Sequence, residues 1–307
     1  MKKIKAAVKG LGNLGKYVIE AIEKTPDMEC LGVLRRKSSI GTKIYDLRGA
    51  PDFDSISSLE EKAGRPDVII LCSPSRKVPI EIPEYLSQGY STVDSFDIHN
   101  EIVPLLEELQ PTAIKAGKAA IVAAGWDPGV DSAIRAYMEA MAPVGTTFTN
   151  FGRGRSLGHS VAAKAIKGVA DALSITIPMG GGRHSRLVYV VLDKGETVQT
   201  VTERIKSDDY FLNDPLQVIQ VTDSAALELT ADASHGVFIE RIGGIASVSN
   251  QSFKFEMRIN NPALTAQILV SCARAVTKMP AGIHTLIDVP PIYLLPDNRK
   301  QLVRRLV

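Results

Sequence analysis

The chain has 307 residues, 45% of them apolar and 23% charged, with a formal net charge of +2. That composition supports a large buried core and excludes disordered and fibrous classes, and at this length a single core gives way to two lobes. The charge forms no basic block, so there is no footprint for nucleic acid and no polybasic membrane anchor; small molecules are the expected partners.

Cys30, Cys72 and Cys272 lie far apart with no CxxC pair. This argues against a disulfide framework or a zinc site and fits a reducing compartment. The opening MKKIKAAVKGLGNLG runs directly into a strand and a glycine turn without a signal-peptide core, and no apolar stretch approaches ~18 residues. A soluble, cytoplasmic protein is expected.

IKAAV (4–8) predicts a strand, and LGKYVIEAIEK (14–24) a helix with Leu14, Val18, Ile19 and Ile22 on one face. Between them GLGNLG matches GxGxxG. Gly10 makes the tight turn, Gly12 lets a pyrophosphate approach the backbone, Gly15 allows close helix packing, and Asn13 and Leu14 open the helix whose N-terminus receives the anion. CLGVL (30–34) is the next strand, and it ends in Arg35, Arg36 and Lys37 where an NAD enzyme would carry an acid. Guanidinium there pairs with a 2′-phosphate, so NADP is the expected cofactor.

DVIILC (67–72), YSTVDSF (90–96) and AAIVAAG (119–125) are further buried strands, with helices around 79–88 and 101–116. Such alternation predicts an α/β fold, a Rossmann-like doubly wound parallel sheet that binds ligands at the carboxyl ends of its strands. Cys72, Ser73 and Ser75 lie at such an end, placed for the nicotinamide half of the cofactor. From about residue 147 the pattern turns β-rich, with glycine turns suited to a second, α+β lobe for substrate and dimerisation. NPALTAQILVSCARAVTKM (261–279) reads as one helix, and RKQLVRRLV as a last amphipathic one. The expected division is a dinucleotide-binding domain over 1–120, completed by 262–307, and a substrate domain over 121–261.

Two acids emerge at strand ends: Asp97 in VDSFDIH and Asp127 in AGWDPG. Each has a structural reading, Asp127 as a helix N-cap beside a proline and Asp97 as a turn acid. Together they suit an enzyme that removes hydride from a carbon bearing nitrogen. Carboxylates hold ammonium through charge-assisted hydrogen bonds of about 1.5–3 kcal/mol each, and a close pair raises one member's pKa towards that of a proton acceptor.

GLGNLG, RRK, VDSFDIH, AGWDPG, FGRGRSLGHS, SITIP, ASHGV and RINNPALTAQ occur in the order found in meso-diaminopimelate dehydrogenases, which the chain resembles over essentially its full length. The resemblance implies NADP-dependent, reversible oxidative deamination at the D-centre of meso-2,6-diaminopimelate, giving L-2-amino-6-oxopimelate, ammonia and NADPH, on a homodimer. It places Asp97, Trp126 and Asp127 around the reacting centre and Phe151, Leu157 and Gly158 over that end of the pocket. Thr176, Arg186, His235 and Asn261 would grip the distal L-centre. Gly152-Arg153-Gly154 departs from the Gly-Pro-Gly common in the family, which bears on substrate breadth. The alternatives are a broader D-amino acid dehydrogenase on the same scaffold and a non-catalytic NADP(H)-sensing module.

Overall fold

The strand β1 (Ile4–Lys9) carries alanine and valine on both faces, the pattern of a parallel strand covered by helices on each side. In the computed structural model, which describes residues 3–40, 50–152, 154–155, 157–181, 183–208, 210–212, 214–231 and 235–307, it starts a βα series. The helix α1 (Asn13–Glu23) buries Gly15, Val18, Ile19 and Ile22 at helical spacing. There follow β2 (Met28–Leu34), β3 (Asp52–Phe53), α2 (Ile56–Ala63), β4 (Val68–Leu71), α3 (Val78–Ser87), β5 (Ser91–Asp94), α4 (Ile102–Ala116) and β6 (Ala119–Ile121). The buried run after Ile121 continues to Gly125 as a loop rather than a strand, with Ala123 in the left-handed region at φ +54°. α5 (Val130–Met141) then leads out of this unit, whose boundary lies between Ala133 and Ile134.

The second unit, Ile134–Asn261, contains two sheets. Its elements in order are β7 (Val144–Phe151), β8 (Gly154–Arg155), α6 (Leu157–Ala165), β9 (Val169–Gly180), β10 (Arg183–Leu192), α7 (Val198–Lys206), β11 (Leu216–Gln220), α8 (Ser224–Ala231), β12 (His235–Ile245) and β13 (Val248–Ile259). β7, β12 and β13 form an antiparallel sheet; β8, β9, β10 and β11 form a mixed one in which β10 and β11 are parallel. β10 alternates cleanly. Val188 and Val190 face α6 and α7 with Ala163, Val201 and Ile205, while Leu187 and Tyr189 face the side of Leu173, Ile175 and Leu227. The three helices lie within a stretch whose composition reads as strand and glycine turn. α7 is nevertheless marked by Thr197, whose side chain accepts from Thr200 N, and by Val201 and Ile205 four apart.

The chain returns to the first unit with α9 (Asn261–Val276), β14 (Gly282–His284) and α10 (Arg299–Leu306). β14 joins the sheet beside β6, giving seven parallel strands in the order β14-β6-β5-β4-β1-β2-β3. α1 and α9 cover one face with Val18, Ile22, Leu269 and Val270; α2, α3 and α4 cover the other with Leu59, Ile82, Leu105 and Leu109. The order reverses at β1, so β1 and β4 part their connections at the crevice where doubly wound sheets bind ligands. Among the described residues no helix is long and apolar enough to cross a membrane.

α9 is tied down by Arg274, which is 3% exposed. Its Nε and Nη2 donate to Asp27 at 2.6 and 2.8 Å, and its Nη1 to the Leu294 carbonyl at 2.7 Å. Arg274→Ala strands a largely buried carboxylate and should cost about 3–5 kcal/mol in urea unfolding; a loss below about 1 kcal/mol would contradict this account of the pair.

Candidate active site

The glycine turn follows β1 directly. Gly10 has φ +99°, and its N–H donates to the Leu34 carbonyl at 3.0 Å. A Cβ on Gly15 would lie 2.3 Å from the Gly10 carbonyl oxygen, so helix and turn can meet this closely only with glycine. Over Gly12 a Cβ would meet nothing within 4 Å; the space there is open to an approaching ligand. Gly12 caps α1, whose first turn, with Asn13 exposed and Leu14 half-buried, contains no acid. Free amides and an acid-free helix start fit a pyrophosphate.

At the end of β2 the three cations separate. Arg35 is buried and pairs through Nη1 with Asp52 Oδ2 at 2.7 Å, whereas Arg36 and Lys37 are exposed. The next strand end presents Cys72, Ser73 and Ser75. Burial pushes the Cys72 thiol far above its ordinary value and Cys30 up to about 11, so neither is a thiolate at neutral pH. Ser73 Oγ donates to Glu81 Oε1 at 3.0 Å, and Ser75 Oγ to Asp97 Oδ1 at 2.6 Å.

Asp97 thus receives a short hydrogen bond from the loop after β4, and it is exposed. It caps no helix. Asp127 does not stand at an N-cap position either, since α5 begins only at Val130. Its Oδ2 lies 3.9 Å from Nε2 of His99, two residues beyond Asp97. The loops after β5 and β6 therefore place Asp97 against Ser75, and Asp127 against His99 two residues on from Asp97, with half-buried Trp126 next to Asp127 in the chain. Between them is Asp94, fully buried, its Oδ1 accepting from Phe96 N and Ala123 N. Burial pushes its carboxyl up to about 7 against the two hydrogen bonds.

In the second unit, strand register gathers the remaining predicted residues. Arg186 stands opposite Thr176 on the β10–β9 ladder, and its Nη1 donates to Thr176 Oγ1. Gly154 pairs with Thr176 on the other side, and Gly152 N donates to the Gly236 carbonyl at 2.8 Å. Phe151, 41% exposed, lies across from Val237, and His235 opposite Ile259. Asn261, two residues on, opens α9; Leu157 and Gly158 open α6. The side chains of Leu157, Gly158 and His235 lie outside the described part, as does Arg153.

Arg186 Nε also donates to Asp214 Oδ2 at 2.6 Å. Nothing in the sequence marks Asp214, which is joined to Arg186 only through the parallel β10–β11 pairing. His159 packs edge-on against Tyr210 and Phe211. Burial and the Arg186 charge hold both His159 and His184 below the usual imidazole range; at neutral pH Arg186 is the cation of this cluster. Among the described residues no three His, Cys, Asp or Glu side chains are grouped to hold a metal ion.

A glycine-turn dinucleotide site with acids at adjacent strand ends defines a Rossmann-type oxidoreductase acting on a carbon–nitrogen bond. A profile of the diaminopimelic acid dehydrogenase C-terminal domain matches residues 125–182. The meso-diaminopimelate D-dehydrogenase of Bacteroides fragilis is 48% identical over 307 residues, covering all of both chains. The structure of a C. glutamicum DAP dehydrogenase in complex with DAP aligns with TM-score 0.76 at 29% identity over all of both chains. An engineered D-amino acid dehydrogenase bound to NADP+ aligns with TM-score 0.71 at 28% identity, again over all of both chains. The chain belongs to the meso-diaminopimelate D-dehydrogenase family.

In the unfolded chain Asp94 ionises near 4, in the folded chain only near 7. The unfolded state holds fewer protons at this group across that window, so the Asp94 contribution to stability falls as pH rises from about 4 to about 7. Asp94→Asn removes this slope. Its Tm should gain on that of the native chain over the same window, and a Tm difference independent of pH would contradict the buried neutral acid.

Proposed function

We propose that the chain catalyses NADP-dependent, reversible oxidative deamination of the D-centre of meso-2,6-diaminopimelate, giving L-2-amino-6-oxopimelate, ammonia and NADPH. The observation that carries this reading is the pair of carboxylates, Asp97 and Asp127, on adjacent loops at the ligand-binding end of the cofactor sheet, one of them bonded to the nicotinamide-side loop through Ser75.

Gly10, Gly12, Asn13, Leu14 and Gly15 receive the pyrophosphate, Arg36 and Lys37 the 2′-phosphate, and Cys72, Ser73 and Ser75 line the nicotinamide end. Arg35 supports this strand end from its buried pair with Asp52. NADP+ held there supplies the hydride acceptor. Asp97 and Asp127 bind the D-centre amine with Trp126 beside them, and one of them takes its proton as the C–N bond becomes an imine. Water then adds to the imine carbon with a carboxylate as base, and ammonia leaves. Phe151, Leu157 and Gly158 cover the reacting end.

Arg186 and Thr176, with His235 and Asn261, take the distal L-centre. Asp214 engages Nε and Thr176 engages Nη1, so a carboxylate would meet the remaining N–H groups of the guanidinium, with its orientation already fixed. A homodimer would cover the exposed apolar end of the antiparallel sheet, where Val144, Ile242, Ile245 and Val248 are 75%, 47%, 44% and 47% exposed. A cytoplasmic location suits the three free cysteines.

NADPH absorbance with NADP+ and the three diaminopimelate isomers tests the reading. Production with the meso form, little with D,D and none with L,L supports it. Equal rates with simple D-amino acids favour the broader dehydrogenase, and silence with every amino acid favours the sensor. Asp97→Ala should lower kcat/KM more than about tenfold with NADP+ affinity retained, and unchanged turnover would remove Asp97 from the scheme.

A further inference from the structure

Asp94 enters none of these steps, yet it joins the two segments that do. β6 pairs with β5 only at Thr92–Ala120 and Val93–Ile121. Beyond that point, the Asp94 carbonyl accepts from Ala124 N at 2.8 Å. The side chain adds a second tie: Oδ1 accepts from Phe96 N at 2.9 Å, on the way to Asp97, and from Ala123 N at 3.2 Å, on the way to Trp126 and Asp127. A single carboxyl oxygen thus spans both loops.

The tie holds a backbone that ordinary residues avoid. Ala123 has φ +54°, in the left-handed region where a Cβ crowds the following carbonyl. The other oxygen, Oδ2, has no hydrogen-bond partner among the described residues, so the group works through Oδ1 alone. Burial keeps it uncharged up to about neutral pH, an acceptor without a counter-ion.

We propose that Asp94 is a positioning residue: through Oδ1 it fixes the spacing of the Asp97 loop and the Trp126–Asp127 loop, and so sets where the two carboxylates meet the substrate nitrogen. This rests on the assignment of Asp97 and Asp127 to that nitrogen. Errors of about 1 Å in such placement cost up to about a hundredfold in rate.

The test measures kcat and KM for meso-diaminopimelate, Kd for NADP+ and Tm in full-length Asp94→Asn and Asp94→Ala. The asparagine keeps an oxygen acceptor and should hold kcat within about threefold of native, while the alanine should lower kcat by about tenfold or more with Kd for NADP+ within about twofold. A folded Asp94→Ala with native kcat, or an Asp94→Asn depressed as far as the alanine, overturns the proposal. So does a loss of NADP+ affinity that matches the loss of kcat. Should Asp94→Ala not fold, Asp94→Ser takes its place with the same outcomes, since its shorter hydroxyl cannot bridge both amides. Asp97→Asn run in parallel separates the two claims: native turnover there refutes the assignment of the substrate nitrogen, whatever Asp94 does.

Discussion

The carboxyl ends of β4, β5 and β6 lie side by side, and the acids placed where the ladder stops find partners in neighbouring loops. Asp97 takes a donor from Ser75 and Asp94 one of its two from Ala123, the other being Phe96 of its own loop, while Asp127 has His99 close by. The sheet behind them is rigid, with β4 and β5 buried throughout. These cross-loop contacts carry that rigidity out to the side chains that do chemistry, which a loop closed on itself would not do.

Charge is sorted between the two units. The cofactor unit presents carboxylates at its reactive strand ends and exposed cations at Arg36 and Lys37. The second unit presents Arg186, held by Asp214 and Thr176 beside imidazoles kept neutral by burial. In the proposed reading a substrate with an ammonium and a carboxylate at each end needs both signs of partner, and the Arg186 guanidinium, held at Nε and Nη1, has its plane fixed in advance. The same sorting explains Arg35. Buried against Asp52, it is neutralised on the spot and frames the strand end from inside.

Much of the first unit was legible because parallel strands buried on both faces read as continuous apolar runs, and GLGNLG sits between one such run and a helical period. Asp97 and Asp127 could be placed at strand ends from the same alternation. What the sequence hid were partnerships set by strand register or by loops meeting across the sheet. Thr176 and Arg186 face each other only through the β9–β10 ladder, Asp214 reaches Arg186 through the β10–β11 pairing, and Arg35 meets Asp52 through a strand of two residues. α6 and α8 escaped because alanine, threonine and glycine give them weak amphipathic contrast. Asp127 reads as a helix cap beside proline, but the helix starts two residues later than a cap there requires, at Val130.

The central claim, that Asp97 and Asp127 hold the nitrogen being released, is tested most directly by a structure of the chain with NADP+ and meso-diaminopimelate. The account predicts the D-centre nitrogen within about 3 Å of oxygens of both carboxylates. A D-centre nitrogen bound elsewhere, with both aspartates turned from it, would contradict the account.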